Sequence, residues 1–178
     1  MSRWHPGDRR PDRESMLRVD QAGEFGATRI YAGQLAVLRR NCPEAKLISR
    51  MAAQEQRHLR RFNRLMAERC VRPTLLQPIW NVAGFALGAA TALMSEKAAL
   101  ACTDAVETEI DKHYTSQLAD LGEDDPELAT DIAEFRAEEL EHRDTAREAG
   151  AAQAAGYPLL TAAIRAGCRA AIELSKRI

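Results

Sequence analysis

The chain has 178 residues, a formal net charge of −1 and a hydrophobic fraction of 46%, with only 5% aromatic residues. This length fits a single domain with a substantial core, and the near-zero charge argues against a nucleic-acid-binding protein, which usually carries a clear basic excess. No segment alternates apolar and polar residues with a period of two, so the sequence indicates an all-α fold. The four cysteines are widely spaced and form no Cys-x-x-Cys, which argues against a zinc site and a disulfide framework.

The N-terminal segment is polar and is interrupted by Pro6, Gly7 and Pro11. It predicts a flexible lead over residues 1–12, followed by a single domain over residues 13–178. The segment has neither the apolar centre of a signal peptide nor the pattern of an amphipathic transit helix, so we expect that the protein is not exported.

The first helix is predicted over residues 13–40, with Glu24 in the middle of its inward stripe. Gly23 and Gly26 lie beside this glutamate, and each costs about 1 kcal/mol relative to alanine in a helix interior. Two interpretations are about equally favoured for them. Either a neighbouring helix or a substrate approaches closely, or the glycines are simply tolerated on the surface.

The second helix is predicted from Pro43 to about Cys70, and it carries Glu55 and His58 on its apolar stripe. Residues three apart share a helix face, so both side chains can point toward one ion. A buried unpaired carboxylate is costly, which leaves a salt bridge, a hydrogen bond or a metal as its partner. A single Glu-x-x-His is nevertheless weak evidence, because such a pair is more often a surface ion pair.

Residues 73–95 carry no charge, and the run from Ile79 to Gly88 is strongly apolar. A membrane-spanning helix needs about 20 mostly apolar residues, and Pro78 with its polar neighbours leaves this segment short. Three interpretations stay open: a helix at a membrane surface, an ordinary buried helix, and a true span. The spacing of Gly84 and Gly88 indicates a helix-packing step.

Two further helices, predicted over residues 96–121 and 127–150, repeat the pattern of the first two at an offset of 83 to 84 residues. The chain therefore contains a duplicated helical hairpin, and each copy places one glutamate on its first helix and Glu-x-x-His on its second. The six residues are Glu24, Glu55, His58, Glu107, Glu139 and His142.

This set is the ligand arrangement of ferritin-like di-iron or di-manganese bundles. Four carboxylates carry four negative charges, which two divalent ions offset. Zinc fits less well, because its sites favour cysteine and histidine or three protein ligands, whereas iron or manganese suits carboxylates with histidine. The predicted architecture is a ferritin-like four-helix bundle with an internal hairpin repeat and two additional apolar or amphipathic helices.

Four polar residues flank the predicted ligands. Tyr31 and Tyr114 follow Glu24 and Glu107 by seven residues on the same helix faces, so they either donate hydrogen bonds or carry electrons near the metals, or are ordinary core tyrosines. Asp20 and Asp104 precede the same glutamates by about one turn. They are predicted to hold a ligating histidine by its free ring N–H.

The last helix is predicted after Gly156, and it is amphipathic and basic. Its apolar stripe comprises Leu160, Ile164, Gly167, Ala171, Leu174 and Ile178. Such a helix either lies on an anionic membrane or packs on the bundle, and the sequence favours neither.

Five stretches carry a family resemblance: RVDQAGEFGA at 18–27, RIYAGQ at 29–34, WNVAGFALG at 80–88, the segment from AVE at 105–107 to HY at 113–114, and EELEH at 138–142. Together they are similar to the demethoxyubiquinone hydroxylase family of coenzyme Q synthesis, and the match runs from about Arg13 to Ile178. The resemblance implies that the six predicted ligands bind two irons.

The resemblance also implies an activity. The family hydroxylates the head group of a polyprenyl demethoxyubiquinol with O₂ in the penultimate step toward ubiquinone, with electrons from NADH or another reductant. His113 resembles a family position near the irons that is implicated in electron transfer, although the sequence alone favours a surface histidine there. With Tyr114 and Tyr31, it completes the expected catalytic residues.

The family works at the membrane that holds the quinone, and eukaryotic members act with a lipid-binding partner protein. We therefore expect a peripheral protein on the cytoplasmic side of a bacterial membrane, or on the matrix side of the mitochondrial inner membrane for a processed eukaryotic protein. Residues 73–94, as a membrane-surface or quinone-lining helix, and the last helix would form the entry surface. A homo-oligomer stays open. The rival functions are a ferritin-like metal oxidase and a non-catalytic quinone or lipid carrier.

Overall fold

The computed structural model describes residues 12–178, which form six α-helices and one short 3₁₀ helix, with no strand in this range. The α-helices are α1 (Arg13–Val37), α2 (Pro43–Glu68), α3 (Gln77–Met94), α4 (Glu96–Leu121), α5 (Pro126–Glu148) and α6 (Tyr157–Arg177), and the 3₁₀ helix is Ala151–Gln153. The all-α prediction is confirmed. The predicted N-terminal lead lies outside the described residues, except for Asp12, whose carboxylate caps α1 by accepting from the Ser15 N–H at 3.0 Å.

The helix ends follow local signals in the sequence. Pro43 and Pro126 occupy the first helical positions of α2 and α5, where a missing N–H costs nothing. Ser95 caps α4 with its hydroxyl oxygen, which accepts from the Ala98 N–H at 3.0 Å. Gly122, at φ +51°, ends α4 in a backbone conformation that favours glycine. The observed ends therefore lie within about three residues of the predicted ones.

The four helices of the duplicated hairpins pack as a bundle, α1 against α2 and α4 against α5. The bundle interior has an apolar cluster toward each end. One includes Ile48, Met51, Leu100 and Ala146, and the other includes Leu17, Phe62, Leu121 and Ile132. The duplicated Glu and His residues lie between these two clusters along the helices, so the polar centre is closed off by apolar side chains at both ends.

Helix α3 packs closely along α1, and glycines make this contact possible. A Cβ built on Gly88 would lie 1.9 Å from the Ile30 carbonyl oxygen, and one on Gly33 would lie 2.1 Å from the Phe85 carbonyl oxygen. The predicted helix-packing step of α3 is confirmed. At Gly23, by contrast, an added Cβ would meet nothing within 4 Å, so no neighbouring helix of the described residues approaches closely there.

The opposite face of α3 is exposed. Ile79, Val82 and Leu93 have relative exposures of 56%, 67% and 74%, so α3 is not an ordinary buried helix. Nor does any described helix have the length and apolarity needed to cross a membrane.

Helix α6 packs against α4 and α1 through a face that includes Leu160 and Ile164 of the predicted apolar stripe but not Leu174 and Ile178. Thr161, Ile164 and Ser175 are buried, whereas Leu174 and Ile178 are 46% and 38% exposed. Ile164 packs in a cluster with Ile30 of α1 and Cys102 of α4, whereas Leu174 and Ile178 remain on the surface. A stripe of apolar residues was therefore only a partial guide to the packed face.

Candidate metal centre

All six predicted ligands meet at the centre of the bundle, and each is at most 2% exposed. Their oxygen and nitrogen atoms form two overlapping groups, in each of which the atoms lie within 4.8 Å of one another. One group comprises Glu24, Glu55, His58 and Glu139, and the other comprises Glu55, Glu107, Glu139 and His142. Glu55 and Glu139 belong to both groups, so these two carboxylates would be shared if each group held an ion.

The two imidazoles are oriented in the same way. His58 Nδ1 lies 3.1 Å from Glu139 Oε1 and 3.4 Å from Glu24 Oε2. His142 Nδ1 lies 3.2 Å from both Glu55 Oε1 and Glu139 Oε2. Each ring therefore points Nδ1 into the carboxylate cluster, and Nε2 faces outward.

The cluster has the donor set that a pair of divalent ions needs. Buried polar atoms normally have partners, yet several here have no hydrogen bond among the described residues. They are Glu24 Oε2, both carboxylate oxygens of Glu55, Glu107 Oε2, Glu139 Oε1 and His58 Nδ1. Unpaired carboxylates in an apolar interior are costly, and two divalent cations would offset them. Four carboxylates with two imidazoles suit iron or manganese.

Without metal, protons bound to the clustered side chains offset part of their negative charge. Burial and then repulsion by Glu139 raise the pKa values of both Glu55 and Glu107 well above the ordinary range. Burial lowers the pKa of His58, but the adjacent carboxylates of Glu139 and Glu24 outweigh it and raise this pKa to about 11. Divalent ions bind such groups by displacing protons.

At Glu139 the balance is reversed. Burial raises the pKa of this carboxyl, but hydrogen bonds from His142 and His58 outweigh it and lower the pKa to about 2. Glu139 is therefore the carboxylate of the cluster that stays ionised between the two imidazoles.

The two tyrosines cross-link the hairpins. Tyr31 of the first hairpin donates to Glu107 Oε1 of the second at 2.6 Å, and Tyr114 of the second donates to Glu24 of the first. Both hydroxyls are fully buried beside carboxylates, and burial and then the neighbouring glutamate raise both tyrosine pKa values. Each tyrosine therefore remains a protonated donor to a predicted ligand.

His113 and Asp20 form a pair beside this centre. His113 Nε2 lies 3.3 Å from Asp20 Oδ1, and the His113 side chain is only 13% exposed. The expectation of a surface histidine is therefore wrong. Asp20 contacts this non-ligand histidine, so the prediction that Asp20 holds a ligating histidine is also wrong.

Asp104 likewise has other partners than predicted. Arg147 Nε donates to Asp104 Oδ1 at 2.7 Å, and the Tyr157 hydroxyl donates to Oδ2. Asp104 of α4 therefore contacts α5 and the start of α6, and neither of these two partners is a ligating histidine.

The residues that do contact the outer nitrogens of the histidines were not predicted. His58 Nε2 lies 2.8 Å from Glu138 Oε2, and His142 Nε2 lies 3.0 Å from Gln54 Oε1. A signal was present in the sequence, since each residue directly precedes a candidate ligand at the equivalent position of its hairpin: Gln54 precedes Glu55, and Glu138 precedes Glu139. Phe135 adds a stacking contact to His58, with ring centroids 4.1 Å apart.

Comparison with known proteins agrees with this arrangement. Residues 11–175 match the family model described as ubiquinone biosynthesis protein COQ7. A Rhodospirillum rubrum protein named 3-demethoxyubiquinol 3-hydroxylase is 54% identical over 175 residues, which cover 97% of this chain and 82% of that protein. A mouse protein named NADPH-dependent 3-demethoxyubiquinone 3-hydroxylase, mitochondrial, is 53% identical over 92% of this chain and 77% of its own length.

A more distant relative extends the match. The Saccharomyces cerevisiae protein named 5-demethoxyubiquinone hydroxylase, mitochondrial, is 42% identical over 93% of this chain and 78% of its own length. The family model and these relatives cover nearly the whole helical domain, with all six clustered Glu and His residues inside the matched range. The chain therefore belongs to the COQ7 family of ubiquinone biosynthesis proteins.

Proposed function

We propose that this protein is a diiron monooxygenase that hydroxylates the head group of a polyprenyl demethoxyubiquinol with O₂. The observation that carries the proposal is the buried cluster of four glutamates and two histidines in a chain of this family. The relatives named demethoxyubiquinol or demethoxyubiquinone hydroxylases supply the substrate class and the reaction. The domain over residues 13–178 would act as one unit.

The six clustered residues would hold two irons, with Glu55 and Glu139 shared between them. When bound, the irons would supply the reduction of O₂ that hydroxylation requires. The chain positions the ligands, because the carboxylates come from four different helices. It also keeps the centre free of bulk water, because apolar clusters lie on both sides of it.

Tyr31, Tyr114 and His113 are the proposed catalytic residues around this centre. The two tyrosines hold Glu107 and Glu24 by hydrogen bonds and carry protons there. His113 is adjacent to Tyr114 in the chain and contacts the buried Asp20, and its side chain is 13% exposed, so it would be placed to transfer charge between the protein exterior and the neighbourhood of the centre. Electrons would come from NADH or another reductant, and the mouse relative is named NADPH-dependent.

The outer faces of α3 and α6 are the proposed membrane-facing surface, through which the quinol would enter. Ile79, Val82 and Leu93 of α3 and Leu159 and Leu174 of α6 form an unusual set of exposed large apolar side chains. Trp80 Nε1 donates to Ser175 Oγ at 3.1 Å, which joins the two helices at this surface. Exposed apolar patches of this kind mark membrane or partner sites.

This surface supports a peripheral attachment to the membrane that contains the quinone. The mouse and yeast relatives are named as mitochondrial, and a bacterial protein would attach on the cytoplasmic side. The same surface would also be available to a lipid-binding partner protein, as the family resemblance implies.

Metal analysis of the purified protein, followed by anaerobic reduction and O₂ exposure in the presence of a demethoxyquinol, tests the proposal. We expect near two irons per chain and a hydroxylated quinol, and we expect both to be lost in Glu139→Ala. Glu134→Gln is the matched control, because Glu134 is exposed on the same helix. Absence of a stoichiometric redox metal after reconstitution would refute the hydroxylase and favour the lipid carrier.

A further inference from the structure

The two hairpins differ at one pair of equivalent positions next to the metal ligands. Gln54 and Glu138 are 84 residues apart, as are Glu55 and Glu139, and each directly precedes its glutamate. Each side chain reaches across to the histidine of the other hairpin. The duplication therefore keeps the contact and changes its chemistry, from an amide at position 54 to a carboxylate at position 138.

The contact is made to the ring nitrogen that faces away from the cluster. His58 and His142 both point Nδ1 inward, so a metal bound at Nδ1 leaves the proton on Nε2. That N–H donates to Glu138 Oε2 at 2.8 Å in His58 and to Gln54 Oε1 at 3.0 Å in His142. Arg57 pairs with Glu138 from the solvent side and holds the carboxylate in place.

The chemical difference between these acceptors matters for a ligating imidazole. A carboxylate that accepts the outer N–H fixes the ring and increases the basicity of the ligating nitrogen. An amide oxygen fixes the ring but carries no charge, so it increases that basicity less. The two histidines are consequently unequal ligands, although their inner surroundings are similar.

We infer that Glu138 and Gln54 are positioning residues that make the two metal positions unequal, the position at His58 binding its ion more tightly than the position at His142. This inference rests on the proposed diiron centre and goes beyond it, because a symmetric duplication predicts two equal positions. Loss of such an outer partner typically changes metal affinity by about 10- to 100-fold.

Anaerobic titration of the metal-free full-length protein with Co²⁺ tests this inference, with the hyperfine-shifted N–H signals of the two histidines followed by proton NMR. We expect two binding steps separated by about 10-fold or more. Glu138→Gln is expected to weaken the first step, and Gln54→Glu to strengthen the second, so that each variant brings the two steps together. The double exchange Gln54→Glu/Glu138→Gln is expected to restore two steps in the reverse order.

The NMR signals identify the histidine that is occupied first. At one equivalent of Co²⁺, the unsubstituted protein should show the shifted N–H signal of His58, which is the signal that Glu138→Gln changes. The double exchange should instead show the signal of His142. A role in stability alone would not invert this order. Two matched controls are expected to leave both steps unchanged: Glu134→Gln, which removes the other carboxylate near Arg57, and Gln56→Glu, which adds a charge at an exposed position of α2.

Equal affinities in the unsubstituted protein, or an order of filling that the double exchange does not invert, would overturn the inference and leave the diiron centre standing. Failure of the protein to bind stoichiometric Co²⁺ at all would refute both the inference and the proposed function.

Discussion

Tyr31 and Tyr114 show how single side chains connect the two hairpins. Each hydroxyl donates to a glutamate of the other hairpin in a fully buried setting. A buried acceptor that loses its hydrogen-bond donor costs about 1–3 kcal/mol, and removal of either hydroxyl leaves a carboxyl oxygen in that state. These contacts therefore hold the ligands in place and also hold the two halves of the bundle together.

Replacement of Tyr31 by phenylalanine removes the donor to Glu107 with little change in volume. We expect the metal-free protein to lose about 1–3 kcal/mol in the free energy of unfolding, because a buried carboxyl oxygen loses its donor. Urea denaturation followed by circular dichroism measures this loss. Thr115→Val is the control, because its hydroxyl bond to the Asp111 carbonyl is exposed, and its change should stay within about 0.5 kcal/mol. If the two substitutions lowered the free energy of unfolding equally, the buried hydrogen bond would contribute no more to stability than the exposed one.

The buried acids also predict how stability depends on pH in the metal-free protein. The folded state raises the pKa values of Glu55 and Glu107, so it keeps protons that the unfolded chain releases as pH rises above about 4.5. The pKa of His58, raised to about 11, acts in the same direction, because its stabilisation is complete below the unfolded pKa near 6.5 and is lost toward 11.

Stability should therefore fall as pH rises from about 5 to about 8, by about 1.4 kcal/mol per pH unit for each additional proton that the folded state holds. Thermal unfolding in the presence of a chelator measures this slope. Loading with Fe²⁺ under anaerobic conditions should flatten it, since metal replaces the protons. A melting temperature of the metal-free protein that increases over this range would contradict the assignment.

At the residue scale, the candidate ligand set was predictable because both hairpins repeat one glutamate followed by Glu-x-x-His, whose two residues share a helix face. The partners of the ligands were not. Asp20 meets His113, and Glu138 meets His58, because of the way in which helices from different hairpins cross. Sequence spacing within one helix contains no information about that crossing.

At the scale of the elements, the contact between α1 and α3 depends on backbone surfaces without side chains. Gly33, Gly84 and Gly88 allow the two helices to approach until carbonyl groups of one face the glycines of the other. Such a contact buries backbone against backbone, which cannot move aside as a flexible side chain can.

Gly88→Ala tests this contact. The new methyl group would collide with the Ile30 carbonyl, and we expect a loss of about 1–3 kcal/mol or more from overpacking, measured by chemical denaturation. Gly23→Ala is the matched control, because its methyl group meets nothing within 4 Å, and helix propensity predicts a gain of up to about 1 kcal/mol. If both substitutions stabilised the protein, the close packing of α1 and α3 would be wrong.

The helices themselves were predictable to within a few residues, since prolines, caps and glycines mark their ends. The packed face of α6 was not. Its buried residues include Thr161 and Ser175, which no apolar stripe identifies. The shape of the surface formed by α4 and α1 determines which face of α6 packs against it, and this shape exists only in the folded bundle.

At the scale of the whole molecule, charge and apolar surface are separated. Ion pairs join α2 to α5 on one side, as in Arg61 with Asp131 and Arg69 with Asp125. The outer face of α3 carries Ile79 and Val82 and no charge. The side formed by α2 and α5 is therefore charged and the outer face of α3 is apolar, in keeping with the proposed membrane attachment.

The double variant Ile79→Glu/Val82→Glu should bind liposomes more weakly by about 10-fold or more per residue, because each aliphatic side chain contributes about 1.5–3 kcal/mol when buried in lipid. Co-sedimentation with vesicles measures the binding, and metal content should be unchanged. Ala53→Glu/Gln56→Glu adds the same charge at exposed positions of α2 and should leave binding nearly intact. Equal vesicle binding by the α3 variant would place the membrane contact elsewhere.

In the proposed function, the glycine contact between α1 and α3 would also set how far the quinol head group moves from the membrane to the metal centre. Helix α1 carries Glu24 and Tyr31, and α3 carries the exposed apolar face, so their tight packing makes the depth of the centre below the membrane-facing surface a constant of the fold. In the proposed reaction, the quinol head group would move through this fixed distance with the first isoprene units. The isoprene units farther along the tail would stay in the lipid. The enzyme would then contact only the first isoprene units of the tail, and its activity would not depend on the total tail length.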